Sequence, residues 1–323
     1  MHPVWIPEFF GDTPVINGKA YPYLEVEPRR YRFRVLNGSN ARFYNFWLDD
    51  GKRRVPFHQI GTDGGIGFVG SKNAVPLTSM LLAPGERADI IVDFSGMKSG
   101  TLLTAKNNAS IPFPNGTSGT LPVLMQIRVN KPLSSPDTTP PAAQLALPGI
   151  VPLPTDTTTP RRQVVLKENM DMAAGAPLNA LINGKHFMEP VDDMPKAGST
   201  EIWEFVNLTG DAHPMHLHLV QFQILNRQPI DAAGFTAAWL AGSNPNANQF
   251  LAGTAKLPAA NENGWKDTAQ SYPGEVLRIA VKFDLPSGPL QLPNGMTNPQ
   301  YVYHCHILEH EDNDMMRPFE IQP

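Results

Sequence analysis

The feature that most constrains the fold of this chain is an internal repeat. Three motifs occur twice in the same order; they begin at Ile16, Tyr31 and Pro84 in the first copy and at Ile182, Glu201 and Pro273 in the second. The two longer motifs are strand-like, with the alternation of apolar and polar residues that half-buried β-strands show. The 33 prolines and 26 glycines also favour short strands joined by turns over long helices. The sequence therefore predicts an all-β chain made of two tandem β-sandwiches.

The repeat also sets the expected domain boundaries. We predict a first β-sandwich at residues 1–132, a Pro/Thr-rich linker at 133–162 and a second β-sandwich at 163–323. Residues 231–263 are rich in Ala, Gly, Asn and Pro, and they predict a long irregular loop inside the second sandwich. Loops of this length are usually lids or mobile functional segments.

Composition excludes several classes of protein. The 41% of hydrophobic and 17% of charged residues are typical of a globular chain, and a net charge of −4 builds no basic field that would attract nucleic acid. We find no run of 18 apolar residues, so we expect no membrane span. The first residues lack a basic region followed by an apolar core, so no signal peptide is expected and the compartment stays open.

Two histidine-rich segments in the second copy carry the chemistry. They are His213–His218 and His304–His310. Together they contain six of the nine histidines and the single cysteine, Cys305. A blue copper site needs two imidazoles and a thiolate in a near-trigonal plane, with a weak thioether on the axis. Cys305, His310 and Met315 form one contiguous ligand loop, and His213 from a distant strand would complete the plane.

Strand geometry sorts the remaining histidines. Side chains alternate between the two faces of a strand, so His304 and His306 should point away from the site that Cys305 enters. His216 and His218 share a face because they are two residues apart. Four imidazoles are thus available for a second metal centre. The thiolate and its flanking histidines would join the two centres by a short covalent path for electrons.

Other interpretations of these residues stay open at this point. A lone buried cysteine is often a small apolar filler. Histidine and cysteine also bind zinc, although zinc needs no methionine and no second cysteine is present. Met316 could replace Met315 as the axial donor. The first copy is an internal control, because its residues Phe43, Phe46 and Leu48 align with His213, His216 and His218.

Taken together, these motifs resemble the multicopper oxidases, and most closely the branch of the bacterial spore-coat laccase and bilirubin oxidase. The likeness extends over nearly the whole chain and includes the segments 23–28, 59–65, 264–268 and 303–312. It implies that the two sandwiches are Greek-key cupredoxin domains, corresponding to the second and third domains of the family.

The resemblance also implies a role for each site residue. Type 1 copper would be held by His213, Cys305, His310 and Met315, type 2 copper by His216, and type 3 copper by His218, His304 and His306. Glu311 matches an acidic residue implicated in proton delivery, so Cys305, His310 and Glu311 are the expected catalytic residues. Family members take single electrons from phenols or other small reducing substrates and pass them to dioxygen, which becomes water. Oxidation would occur near an exposed type 1 histidine, His213 or His310, with residues 231–263 as a wall.

The chain departs from the family pattern in one respect. Members of the family have a first domain with two further His-x-His pairs, which complete the trinuclear copper cluster. This sequence contains no His-x-His pairs besides His216/His218 and His304/His306. We therefore expect the missing histidines to come from an N-terminal domain or from another chain. One alternative is a copper-binding or electron-transfer module without oxidase activity. Another is a two-fold dimer that brings eight imidazoles around shared metals.

Overall fold

The computed structural model describes residues 6–117, 119–171, 176–285 and 298–323. The chain is 44% strand and 7% helix, which confirms the all-β prediction. It forms two compact units. The first-repeat unit comprises Phe9–Ile150 with Ala260–Gly264, and the second-repeat unit comprises Met1–Glu8, Val151–Ala259 and Trp265–Pro323. No helix among the described residues is long and apolar enough to cross a membrane.

The described part of the first-repeat unit consists of short strands in three sheets. The strands are β1 Val15–Ile16, β2 Lys19–Ala20, β3 Tyr23–Val26, β4 Arg30–Leu36, β5 Tyr44–Asp49, β6 Arg54–Val55, β7 Phe57–Thr62, β8 Gly65–Ile66, β9 Val75–Leu77, β10 Met80–Leu82, β11 Arg87–Asp93, β12 Thr101–Asn107 and β13 Val123–Val129, and a 3₁₀ turn follows at Ala142–Gln144. One sheet has the order β10-β5-β12-β13-β3 with β6 on β5, and another has the order β4-β11-β7-β8 with β9 on β7. The strands β1 and β2 form a separate hairpin.

The core of this unit lies between its two larger sheets. Leu48 and Leu103 come from β5 and β12, and Ile90 and Val92 come from β11 of the facing sheet. All four are at most 1% exposed and belong to one apolar cluster. Burial of apolar area on this scale is the main force that holds two sheets face to face.

The second-repeat unit repeats this plan and adds two helices. Its described elements are β14 Arg161–Asp171, β15 Ala176–Ile182, β16 Thr200–Asn207, β17 His213–Leu217, β18 Phe222–Pro229, α1 Ala232–Leu240, a 3₁₀ turn Ala247–Gln249, β19 Trp265–Lys266, β20 Thr268–Ser271, β21 Glu275–Lys282, β22 Gln300–Cys305, α2 Leu308–Asp312 and β23 Met316–Glu320. One sheet has the order β15-β14-β16-β21-β18-β19, and the other has the order β20-β17-β22-β23.

Aromatic side chains from both sheets fill the core of the second-repeat unit. Trp203 on β16 is fully buried, and its ring meets that of Tyr303 on β22 edge to face at a centroid distance of 5.0 Å. Phe283 and Phe319 complete the cluster around it. Because Tyr303 lies two residues before Cys305, this packing fixes the strand that carries the cysteine.

The internal repeat is visible in the pairing of the strands. In the first-repeat unit β4 pairs antiparallel with β11, and Leu36 faces Arg87. In the second-repeat unit β16 pairs antiparallel with β21, and Val206 faces Val276. The repeated sequence motifs therefore occupy the same place in each unit.

The segment 231–263 differs from the irregular loop expected from its composition. It contains the nine-residue helix α1, which begins after Asp231, whose carboxylate accepts a hydrogen bond from the Gly234 amide at 3.0 Å. An aspartate in this position stabilises the first turn of a helix. Phe235 of α1 belongs to an apolar cluster with Val165, Val206 and Val276 of the sheet. The prediction of an irregular stretch was therefore wrong for residues 232–240, where the helix is stabilised by its cap and its packing.

Candidate metal centre

Strands β17 and β22 bring the two histidine-rich segments side by side. The pairing is antiparallel, with Met215 opposite Cys305 and His216 opposite His304. The His306 amide donates to the Pro214 carbonyl at 2.7 Å and extends the pairing beyond the strand end. Backbone hydrogen bonds therefore set the register that places histidines from residues 213–218 beside those from residues 304–310.

The first cluster of possible ligands is the Cys–His group, consisting of His213, Cys305 and His310. The Cys305 Sγ lies 3.4 Å from the His213 Nδ1 and 3.8 Å from the His310 Nδ1, and the two Nδ1 atoms are 3.2 Å apart. All three side chains are at most 1% exposed. Three donor atoms thus converge on one point from which water is excluded.

Met315 is placed next to the Cys–His group by the backbone. The Cys305 amide donates to the Met315 carbonyl at 2.9 Å, and the Met315 amide donates to the His310 carbonyl at 2.8 Å. The Met315 side chain is fully buried, whereas Met316 is half-buried and pairs with His304 on β22. Of the two methionines left open by the sequence, burial and position favour Met315 as the thioether donor.

The electrostatics of the Cys–His group suit a metal cation. Burial raises the pKa of the Cys305 thiol well above its usual range. Burial, with a smaller contribution from His310, lowers the pKa of His213 well below its usual range, and burial lowers the pKa of His310 to about 4. Both imidazoles are therefore neutral at pH 7 and keep a lone pair for a metal. A bound cation would offset the cost of ionising the buried thiol.

The second cluster is the four-histidine group, consisting of His216, His218, His304 and His306. The Nε2 atoms of His218 and His304 are 3.2 Å apart. One ring nitrogen of His216 lies within 4.8 Å of a ring nitrogen of each of these two histidines. The ring of His306 lies 5.6 Å from that of His304 and 5.7 Å from that of His216. Its Nδ1 is buried and has no hydrogen-bond partner among the described residues. A buried nitrogen without a partner fits a metal ligand.

Neighbouring groups contact one nitrogen of an imidazole and so direct its other nitrogen toward the remaining histidines of the group. The His216 Nδ1 lies 2.9 Å from the Asp267 carbonyl and 3.1 Å from the Thr268 hydroxyl, which leaves its Nε2 facing the other rings. The His304 Nδ1 lies 3.1 Å from the Glu311 carboxylate. Partners of this kind fix the tautomer and orientation of metal-bound imidazoles. Asp267 and Thr268 lie in the segment 264–268 that carries part of the family resemblance, but the sequence predicted no role for either residue.

Glu311 is an acidic residue that lies next to the four-histidine group, 3.1 Å from the His304 Nδ1. Burial would raise its pKa, but the hydrogen bond with His304 and the charges of nearby imidazoles outweigh burial and lower the pKa. The structure therefore places a carboxylate, mostly ionised at neutral pH, next to the His304 Nδ1, while the Nε2 of the same ring faces His218. Its expected role in proton delivery stays a prediction.

The surroundings of the Cys–His group were not anticipated from the sequence. We expected an exposed type 1 histidine, but both His213 and His310 are buried, and His310 hydrogen-bonds to the backbone of Pro7. Glu168 approaches the His213 Nε2 to 4.0 Å. Burial, and then the charge of Asp211, raise the pKa of Glu168 to about 7. The residues that cover the site come from distant segments, so the sequence offered no local signal for them.

A buried thiol between two imidazoles, with four more histidines from the same two paired segments grouped next to it, defines a copper protein built on a β-sandwich. The family model described as multicopper oxidase matches residues 154–323. The chain belongs to the multicopper oxidase family, and copper is the metal that this family and this donor set imply.

Similar proteins are named as laccases and multicopper oxidases. The chain is 41% identical over 320 residues to a laccase of Bacillus subtilis (strain 168), an alignment of 99% of this chain and 56% of the laccase. It is 35% identical to multicopper oxidase LPR1 of Arabidopsis thaliana, over 99% of this chain and 55% of that protein. The crystal structure of McoA multicopper oxidase from Aquifex aeolicus is similar with a TM-score of 0.75 and 29% identity, over 100% of this chain and 62% of that one. The chain thus spans little more than half the length of the curated relatives.

Proposed function

We propose that this chain is the electron-accepting part of a laccase-like multicopper oxidase that oxidises phenols or similar small reducing substrates and passes the electrons to dioxygen. The observation that carries the proposal is the position of the Cys305 Sγ, within 3.4 Å and 3.8 Å of two imidazole nitrogens. Copper, when bound, supplies the one-electron redox chemistry. Residues His213, Cys305, His310 and Met315 would hold it as a type 1 centre.

The residues of the chain provide the path between the two centres. Cys305 is covalently joined to His304 and His306, whose rings belong to the four-histidine group. An electron accepted at the thiolate therefore has only a few bonds to travel to reach either imidazole. In this proposal His216 is a type 2 ligand, and His218, His304 and His306 are type 3 ligands.

The four-histidine group needs ligands from outside this chain. His218 is exposed and His216 is half-buried, in contrast to the closed Cys–His group. We infer that the remaining histidines are supplied by a preceding cupredoxin domain or by another chain. We also infer that residues 1–132 and 163–323 are two cupredoxin-like domains joined by 133–162. The separate sheets and apolar clusters of the two repeats support this division, although Met1–Glu8 groups with the second-repeat unit and residues 133–150 group with the first.

Copper loading and oxygen uptake test the proposal. The copper-loaded chain alone should be blue and should be bleached by a methoxyphenol under argon, with little oxygen uptake in air. Fusion to the part of the Bacillus subtilis laccase that this chain does not cover should give oxygen uptake. Family-like oxygen uptake by the chain alone would contradict the need for outside ligands. A blue fusion that is bleached but consumes no oxygen would favour an electron-transfer module.

A matched pair of histidine variants sharpens the test. His218→Ala in the fusion should abolish oxygen uptake and leave the blue colour intact, because His218 belongs to the four-histidine group and not to the Cys–His group. His58→Ala is the control, since His58 lies on β7 of the first-repeat unit. Equal losses in the two variants would refute the assignment of His218.

A further inference from the structure

The turn that follows β16 holds a hydroxyl group against His213. Asn207 is fully buried, and its Nδ2 donates to the carbonyls of Asp211 at 2.8 Å and Ser271 at 2.9 Å. These two bonds orient the Asn207 Oδ1 toward Thr209. The Oδ1 then accepts from the Thr209 amide at 2.9 Å and from the Thr209 hydroxyl at 2.8 Å.

The hydrogen-bond roles around the Thr209 hydroxyl follow from counting its one proton. The Asn207 Oδ1 at 2.8 Å and the Asp211 carbonyl at 3.1 Å can only accept. In the first repeat, where no imidazole is present, the Ser39 hydroxyl donates to the same kind of acceptors, the Asn37 Oδ1 at 2.5 Å and the Arg42 carbonyl at 2.8 Å. The turn therefore directs its hydroxyl proton to these oxygens. The His213 Nε2 lies 2.6 Å from the same hydroxyl oxygen. With the Thr209 hydroxyl proton used as in the first repeat, we infer that the imidazole is the donor in this contact.

This direction of the hydrogen bond corresponds to one tautomer of His213. A neutral imidazole has one N–H and one lone pair, so donation by Nε2 leaves the lone pair on Nδ1. The Nδ1 is the atom that faces the Cys305 Sγ at 3.4 Å. The Glu168 carboxylate lies 4.0 Å from Nε2, which is beyond hydrogen-bond distance.

The first repeat shows that the turn itself does not depend on a histidine. Asn37 donates to the carbonyls of Arg42 and Leu82 and accepts from the Ser39 amide at 3.1 Å and the Ser39 hydroxyl at 2.5 Å. Phe43, the counterpart of His213 in the aligned repeats, stacks on Phe113 instead. The Asn-x-Ser/Thr turn is therefore a shared structural element, and the contact with a ring nitrogen is specific to the second repeat.

We propose that Thr209 is a positioning residue that holds His213 in its Nε2–H tautomer and directs Nδ1 toward the Cys305 thiolate. In this arrangement the Thr209 hydroxyl donates its proton to the buried Asn207 Oδ1, and its oxygen accepts a hydrogen bond from the His213 Nε2. The role of this tautomer in copper binding rests on the function proposed above. The tautomer itself does not, and it can be measured in the metal-free protein.

Nitrogen NMR of the metal-free protein at pH 7.5, with ¹⁵N-labelled histidine, tests the proposal directly. His213 is assigned from the signal lost in His213→Asn. In the wild type and in Thr209→Ser, Nε2 should carry the proton. In the isosteric variant Thr209→Val, the signals should shift toward a mixture of both tautomers. An Nδ1–H tautomer in the wild type would overturn the proposal even if a variant failed to fold, and so would an unchanged Nε2–H signal in Thr209→Val.

Copper affinity provides the second readout. Loss of an outer hydrogen bond to a ligating histidine typically weakens metal binding by about 10-fold to 100-fold, and we expect a weakening in this range for Thr209→Val. Thr209→Ser should stay within about 3-fold of the wild type, since it keeps the hydroxyl. Ser39→Ala is the control for disturbing the same turn where no histidine is present. An equal weakening in Ser39→Ala and Thr209→Val would refute a specific role for Thr209. A colourless wild type with the Nε2–H tautomer would contradict the proposed function alone.

Discussion

Replacing Arg317 with methionine should strongly destabilise the second-repeat unit. Arg317 on β23 has no exposed area. Its Nη1 donates to the His186 carbonyl at 2.5 Å and to the Glu189 carbonyl at 3.2 Å. Its Nη2 donates to the Pro190 carbonyl at 2.6 Å and to the Asp192 carboxylate at 3.1 Å. One guanidinium thus binds the whole segment 186–192 to the strand that follows Met315.

The expected loss can be estimated from these contacts. Removing this buried guanidinium should cost about 3–5 kcal/mol, because a hydrogen bond to a charged group contributes about 1.5–3 kcal/mol and the partly exposed acceptors recover part of the loss from water. At about 2–4 °C per kcal/mol for a domain of this size, the melting temperature should fall by about 6–20 °C. Methionine is close in length to arginine, so a cavity adds little to the loss.

Calorimetry and urea unfolding of the metal-free protein measure this loss without any contribution from copper. Lys256→Met is the control in the same unit, since Lys256 is 72% exposed and pairs with Glu275 at 3.5 Å. Its free energy of unfolding should change by less than about 0.5 kcal/mol. A loss below about 1 kcal/mol for Arg317→Met would refute the reasoning that these carbonyls depend on the guanidinium.

Three further substitutions have defined outcomes. Tyr303→Phe removes the hydroxyl that donates to Asp193 at 2.7 Å and should cost about 1–3 kcal/mol in urea unfolding, because the carboxylate stays buried; an unchanged midpoint would contradict this. Asp231→Ala should cost about 1 kcal/mol and speed amide hydrogen exchange in α1 alone; unchanged exchange would show that the cap is unimportant. Gly61→Ala would place a Cβ 2.1 Å from the Gly65 carbonyl oxygen and should lower the melting temperature, and a variant as stable as the wild type would show that the turn adapts freely.

Much of the candidate site could be predicted because strand alternation depends only on the backbone. Knowing that Cys305 lies on a strand was enough to expect His304 and His306 on the opposite face, and the structure groups both with His216. The internal repeat likewise predicted two similar units, since the matched motifs form the same strand pairs in each.

The remaining features depend on contacts between distant segments. Neither the carbonyl of Pro7 nor the carboxylate of Glu168 is close in sequence to the histidine that it approaches. Helix α1 was missed because its alanines and glycine carry no apolar periodicity, although Asp231 is a recognisable N-terminal cap. Thr209 did carry a signal, because Asn-x-Thr and Asn-x-Ser occupy the same place in both repeats.

The central claim is that one buried thiolate shares a copper ion with two imidazoles from separate segments. Metal analysis with visible and paramagnetic resonance spectra of the copper-loaded wild type and of Cys305→Ser tests it most directly. We predict an intense blue absorption in the wild type, its complete loss in the serine variant, and folding unchanged by circular dichroism. A colourless copper-loaded wild type, or a blue serine variant, would contradict the account.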